Sequence, residues 1–140
     1  MKTEPYLFFD GHTEEAIEFY KKALGAQVVQ IMRFKENPQP EEPGMRPAGT
    51  DEKVMHAQIK IGDTSVMMSD GRCLGSPAFK GFGLTVSVPT EAEAARVFSE
   101  LGQGGQVQMP MAKTFFSPAF GMVADKFGVA WMVIADSQSR

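Results

Sequence analysis

Ile61–Asp70 reads IGDTSVMMSD and Phe127–Asp136 reads FGVAWMVIAD. The two align without a gap, placing Gly62 over Gly128 and Asp70 over Asp136. The match extends upstream. Glu15-Ala16 and Tyr20 correspond to Glu93-Ala94 and Phe98, Leu24-Gly25 to Leu101-Gly102, and Ala26-Gln27-Val28 to Gly105-Gln106-Val107. Similarity in the same order over both stretches points to two fused copies of one supersecondary unit, since a period of half the chain is too long for a solenoid.

Each copy opens with a strand and a helix. Tyr6–Phe9 is a short apolar run closed by the turn signal Asp10-Gly11. A helix is expected from Thr13 as N-cap, with Glu14 and Glu15 at its positive end, Lys21 and Lys22 in its last turn, and Gly25 just beyond. Ile17, Tyr20 and Leu24 form its apolar stripe. In the second copy Gly81–Val88 is the strand, Thr90 and Glu93 make a capping box, and Ala94, Val97, Phe98 and Leu101 form the stripe. Three strands follow each helix: Gln27–Phe34, Val54–Ile61 and Thr64–Ser69, then Gln106–Met111, Gly121–Asp125 and Val129–Ala135. The unit is βαβββ, twice.

The totals bound the function. At 140 residues, 43% hydrophobic and 22% charged, the chain has the composition of one globular domain. A net charge of −3 with dispersed Lys and Arg argues against nucleic acid. The lone Cys73 cannot form an internal disulfide, and the first 20 residues carry charges and a helix pattern instead of a signal peptide. No apolar run approaches a membrane span. A cytoplasmic protein without membrane contact is expected. Between Lys35 and Glu52 lie Pro38, Pro40, Pro43 and Pro47 with Gly44 and Gly49. This loop is read either as a lid over a pocket or as a mobile excursion.

The duplicated unit, with Glu15-Ala16, Phe19-Tyr20 and Leu24-Gly25 on its first helix, resembles the vicinal oxygen chelate superfamily of glyoxalases, bleomycin-resistance proteins and extradiol dioxygenases. Val54-Met55-His56-Ala57, Met67-Met68-Ser69-Asp70, Gly104-Gly105, Met109-Pro110-Met111, Asp125-Lys126-Phe127-Gly128 and Trp131 look like its PhnB-like branch. The resemblance implies an α+β fold. Two tandem βαβββ modules, about residues 4–72 and 79–137, would form a pair of half-barrels around a cup, with mixed sheets and helices on the convex face. It also implies a homodimer. Relatives of the branch have carried a demethylubiquinone-methyltransferase label, yet nothing in this chain resembles a methyl-donor site.

In metal-dependent members of the superfamily, His, Glu or Gln side chains hold a divalent ion that a substrate's adjacent oxygens chelate. Alignment on the superfamily pattern places Met132 where a glutamate belongs, and the internal repeat carries that position to Val66. The remaining positions fall on Gly83 and Pro5. These four supply no hard donor, so no metal cofactor is expected.

Strand alternation nominates the cup residues. His56, Gln58 and Lys60 share one face against Met55, Ala57, Ile59 and Ile61; Gly83, Thr85 and Ser87 share another against Phe82, Leu84, Val86 and Val88. By the same parity Trp131 points to a helix and Met132 to the cup. His56 is open to three readings: a general base, a relocated metal ligand, or a histidine bonded across strands. His12 reads as solvated, and Asp70 and Asp136 as carboxylates closing their strands at equivalent places. Phe115, Phe116 and Phe120 form an aromatic loop that packs in the core, at a dimer seam or on a flat ligand. Met67, Met68, Met122 and Met132 suit either an adaptable apolar pocket or core filling. Cys73 lacks an activating neighbour.

The expected function is a PhnB-like, glyoxalase-superfamily protein that binds a small organic molecule in the cup without the usual metal. His56, Gln58, Thr85, Ser87, Phe115, Phe116 and Met132 would contact the ligand. The alternatives are a metal-dependent lyase, isomerase or dioxygenase using His56, and an interaction module without a ligand.

Overall fold

The computed structural model describes residues 1–39 and 41–137; Pro40 of the proline-rich loop lies outside the described residues. Two compact units divide the chain, Met1–Pro77 and the remainder from Ala78. The first contains β1 (Tyr6–Phe8), α1 (Thr13–Leu24), β2 (Gln27–Arg33), β3 (Val54–Ile61) and β4 (Thr64–Ser69). The second contains β5 (Leu84–Val88), α2 (Glu91–Leu101), β6 (Gln106–Ala112), β7 (Phe120–Ala124) and β8 (Ala130–Ala135). The fold is α+β, a βαβββ unit twice. The sheets are four-stranded and mixed, ordered β1-β4-β3-β2 and β5-β8-β7-β6, with the first strand of each unit parallel to the last.

Register assigns each side chain to a face. In the first unit Leu7 pairs with Met68, Met68 with Ala57, Ile59 with Val66, and all five are buried. They form the core with Ala16, Ile17, Tyr20 and Ala23 of α1. In the second unit Trp131 and Val133 of β8, Val123 of β7, and Ala94, Val97 and Leu101 of α2 do the same. Leu24, expected in the first stripe, is only half-buried; Ala23 takes the inward position.

The start of α1 departs from the expected hydroxyl cap. Thr13 is the first helical residue, and His12 at the cap position makes no side-chain cap bond. The cap comes from across the unit. Asp70, 1% exposed at the end of β4, accepts hydrogen bonds from Gly11 N at 2.9 Å and Thr13 N at 2.8 Å through Oδ1, and from Val54 N at 2.8 Å through Oδ2. The carboxylate thus sits at the positive end of the helix and satisfies three backbone donors of separate segments. In α2 half of the expected capping box forms: Thr90 Oγ1 accepts from Glu93 N at 3.1 Å, while the Glu93 carboxylate accepts from Arg96.

Asp136 is not the counterpart of Asp70, as the ungapped repeat had it. Asp136 is exposed. The reason lies in the hairpins. Ile61 faces Thr64 across the two-residue turn Gly62-Asp63, whereas Asp125 N donates to Val129 O across the three residues Lys126-Phe127-Gly128. The extra residue shifts the last strand by one. Strand pairing therefore equates Met132 with Met67: the row Tyr6–Met67–Gln58–Gln30 corresponds to Thr85–Met132–Met122–Met109.

Glycine is required where chains approach closely. A Cβ on Gly121 would come within 2.7 Å of the Phe98 ring and 3.1 Å of the Met111 backbone, and one on Gly105 would collide with Ala124 O.

Two stability predictions follow from these contacts. Asp70→Ala strands two buried N–H groups and a part-buried one and lowers unfolding stability by on the order of 3 kcal/mol in urea titrations, whereas Asp136→Ala stays within about 0.5 kcal/mol. Equal effects would contradict the register. Gly121→Ala costs about 1–3 kcal/mol through overpacking beneath α2; a neutral result in the same titration would show that Phe98 moves aside freely.

Candidate functional site

Each sheet buries one face and leaves the other open. On the open face of the first sheet lie Tyr6, Phe8, His56, Gln58 and Met67, opposite in phase to the buried Leu7, Ala57 and Met68. The Tyr6 phenol and His56 Nδ1 are 2.8 Å apart. The ring of Tyr6 stacks on Phe8 at 5.0 Å and 27°, and lies 5.6 Å from the imidazole. Tyr6 and Phe8 remain 40% and 54% exposed, so a sizeable aromatic surface faces outward beside the histidine. Gln58 Nε2 donates to Ser65 Oγ at 3.0 Å, which fixes its amide next to Met67.

Burial pushes the Tyr6 phenol above its ordinary value of 10.0, with a side-chain hydrogen bond to Ser69 pulling the other way. Tyr6 is therefore a neutral hydroxyl at physiological pH, able to donate and to accept.

The second sheet's open face carries Thr85 and Ser87 of β5, paired with Met132 and Ile134 of β8, which in turn pair with Met122 and Phe120 of β7. Gly83 lies against this face: a Cβ there would sit 3.6 Å from the Met132 methyl. The aromatic loop joins the same face. Phe116 makes edge contacts at 5.1 Å with both Phe120 and Phe115, and Phe115 is fully exposed, which removes a core role for it within this chain. The loop is held by Thr114 Oγ1, which accepts from Ser117 N at 3.1 Å, and by Ser117 Oγ, which donates to Ala135 O at 2.6 Å.

Several sequence-nominated residues land elsewhere. Val66 and Met68 are buried core residues; the open-face methionine of β4 is Met67. Pro5 precedes β1 in phase with the buried Leu7, its carbonyl accepting from Met67 N at 3.0 Å. His12 pairs with exposed Glu15 at 3.1 Å. Cys73 is half-buried, and burial with the Asp70 charge raises its thiol pKa, the opposite of activation. Trp131 is buried and donates from Nε1 to Asp125 Oδ2 at 2.9 Å.

The proline-rich loop closes on itself. Phe34 N and Lys35 N donate to Lys53 O and Asp51 O, each at 3.0 Å, bringing the ends together as in an Ω-loop. Arg46 lies 4.0 Å over the Phe34 ring, donates to Glu41 at 2.6 Å from Nη2, and reaches Thr50 Oγ1 at 2.6 Å from Nη1. An open cleft of about 410 Å³ within this loop is lined by Phe34, Lys35, Glu41 and Arg46. It contains none of the residues on the two open sheet faces, and its arginine is already partnered.

The Tyr6–Phe8 pair is hidden within the single apolar run Tyr6–Phe9. Alternation was the available signal: Leu7 and Phe9 are buried, Tyr6 and Phe8 exposed.

The family described as 3-demethylubiquinone-9 3-methyltransferase matches residues 1–134. The chain belongs to this family. Escherichia coli protein YjdN is 34% identical over 138 residues, covering 95% of this chain and 94% of YjdN. The crystal structure of Pseudomonas aeruginosa PA1353 is 35% identical with a TM-score of 0.84, covering 99% of each chain. A PhnB protein from Bacillus cereus is 30% identical with a TM-score of 0.78, covering 96% of this chain and 99% of its own. The fold extends to a glyoxylase/bleomycin resistance protein/dioxygenase domain from Frankia at 12% identity and a TM-score of 0.65, covering 98% of each chain. The family thus includes a PhnB protein, and its fold is shared with the glyoxylase/bleomycin resistance protein/dioxygenase domain.

The displaced tyrosine pKa gives a direct check. The folded protein holds the phenol proton more tightly than the unfolded chain, so this contribution to stability is present below the unfolded value and lost as pH rises through the folded one. The difference in ultraviolet tyrosinate titration between wild type and Tyr6→Phe should show a component with its midpoint above 10.0. A midpoint below that value would mean the ring is not desolvated as described.

Proposed function

We propose that the chain binds a small organic molecule on the open sheet face carrying Tyr6, Phe8 and His56, without the divalent ion used by metal-dependent members of the superfamily. The observation that carries this reading is the Tyr6–His56 hydrogen bond set in an exposed aromatic patch of a sheet whose opposite face is closed by a helix. A polar pair flanked by aromatic and thioether surface is the usual composition of a small-molecule site. The open face of the second sheet, with Thr85, Ser87, Met132, Phe116 and Phe120, has the same character.

The donor set argues against a hard divalent ion. Register puts Met67 and Met132 at equivalent open-face positions, and thioethers suit soft ions. The carboxylate nearest in sequence to Tyr6, Glu4, is ion-paired with Lys2 at 3.1 Å. Among the described residues no group of three His, Cys, Asp or Glu side chains is placed to hold a metal. Among them, too, no helix is long and apolar enough to cross a membrane. We further propose a cytoplasmic location, from the lone Cys73, and a homodimer, from the family resemblance.

Titration with the neutral dye Nile red tests the reading. Saturable fluorescence enhancement, unchanged by EDTA and weakened about tenfold by Phe8→Ala or His56→Ala, is expected from the loss of roughly 1.4 kcal/mol of contact. Binding that EDTA abolishes, or that neither substitution touches, would defeat it.

A further inference from the structure

On the open face of the second sheet three methionines stand in one row across three strands. Met132 of β8 pairs with Met122 of β7, and Met122 pairs with Met109 of the edge strand β6. A bulge carries the third into line: Val107 faces Val123 and Met109 faces Met122, so Gln108 is passed over. Directly opposed residues share a face, with Cβ atoms about 5 Å apart. Met122 therefore stands between two other thioether side chains, each one strand spacing away.

Neither the core nor the scaffold accounts for this row. The helix α2 packs on the opposite face, which buries Val123, Trp131 and Val133. Met109 is 46% exposed, and Met122 and Met132 are half-buried. The first unit supplies an internal comparison. Its equivalent positions hold Met67, Gln58 and Gln30, so the same sheet is built there with one thioether instead of three. The row also has room to rearrange. The next pair along the face is Ala124–Ala130, and the Met132 methyl lies beside Gly83, which has no side chain to obstruct it. Methionine is unbranched with three rotatable bonds, so the outer two sulfurs reach toward the middle one by side-chain rotation alone.

We infer that Met109, Met122 and Met132 form a binding site for a soft monovalent cation of the copper(I) class, held by three neutral sulfurs. Thioethers select soft ions. Magnesium and calcium require oxygen ligands, and zinc takes thiolate, imidazole or carboxylate, none of which the row supplies. The site shares no residue with the face carrying Tyr6 and His56, and it does not depend on an organic molecule binding there.

Methyl carbon-13 NMR of the methionines tests the site, with silver(I) nitrate in chloride-free buffer as an air-stable probe. The full chain is used with Cys73→Ser, which removes the competing thiol. The Met109, Met122 and Met132 methyl resonances should shift together and saturate at one silver ion per chain, while zinc leaves them in place. Met122→Leu, a swap of similar volume, should weaken silver binding at least about tenfold and release Met109 and Met132 from the shift. Unchanged resonances from the remaining methionines show that this variant is folded. Met67→Leu should leave silver binding as it was. Midpoints that differ among the three methyls, an equal response to zinc, or binding that Met122→Leu does not touch would overturn the site.

Discussion

The carboxylate of Asp70 is the constraint around which the first unit is organised. It is buried at the end of β4 and receives backbone hydrogens from the β1–α1 loop, from the first turn of α1 and from the start of β3. Bonds from backbone N–H groups to an ionised acceptor are among the stronger ones in proteins, and the cost of leaving the three donors unpaired in an apolar interior is larger still. With those segments tied to one side chain, β3 and β4 have one register. In that register Ala57, Ile59, Val66 and Met68 lie beneath the helix, and Tyr6, His56, Gln58 and Met67 face away from it. A slip of one residue would exchange the two sets. The chemistry of the open face thus depends on a carboxylate that does not touch it.

The second unit reaches the same geometry by other means. Thr90 caps α2 locally, and the buried Asp125 accepts from Phe127 N, Val129 N and the Trp131 indole instead of from a distant helix. Its open face repeats the row structure of the first with different residues: threonine for tyrosine, and Met122 for Gln58. The duplicated unit has kept backbone geometry and core while its exposed faces have diverged, and those faces carry the candidate chemistry.

Much of this architecture was legible in the chain. The internal repeat gave βαβββ twice; β3 and β4 fall where alternation put them, and the shared face of His56 with Gln58 follows from period-two patterning. What misled was an alignment anchored on glycine. Gly62 and Gly128 both adopt positive φ, but in turns of different length, and one added residue moved the inferred equivalent of Met132 from Met67 to Val66 and paired a buried aspartate with an exposed one. The cap of α1 was hidden for another reason. It comes from a residue 57 positions away from Thr13, beyond any local signature. Tyr6 was obscured by its neighbours, since four aromatic and apolar residues in a row read as buried strand until the alternation is imposed. The Ω-loop is held by Arg46 over Phe34, a contact that composition alone does not announce.

The open faces carry aromatic rings, thioethers and a histidine hydrogen-bonded to a tyrosine, and the proposed function rests on that set standing in place of donors that grip a divalent ion. Elemental analysis of the protein purified without chelator, and exposed to divalent ions before desalting, bears on it most directly. The account predicts that no divalent ion stays bound in stoichiometric amount. One tightly held ion per chain, lost on His56→Ala, would contradict it.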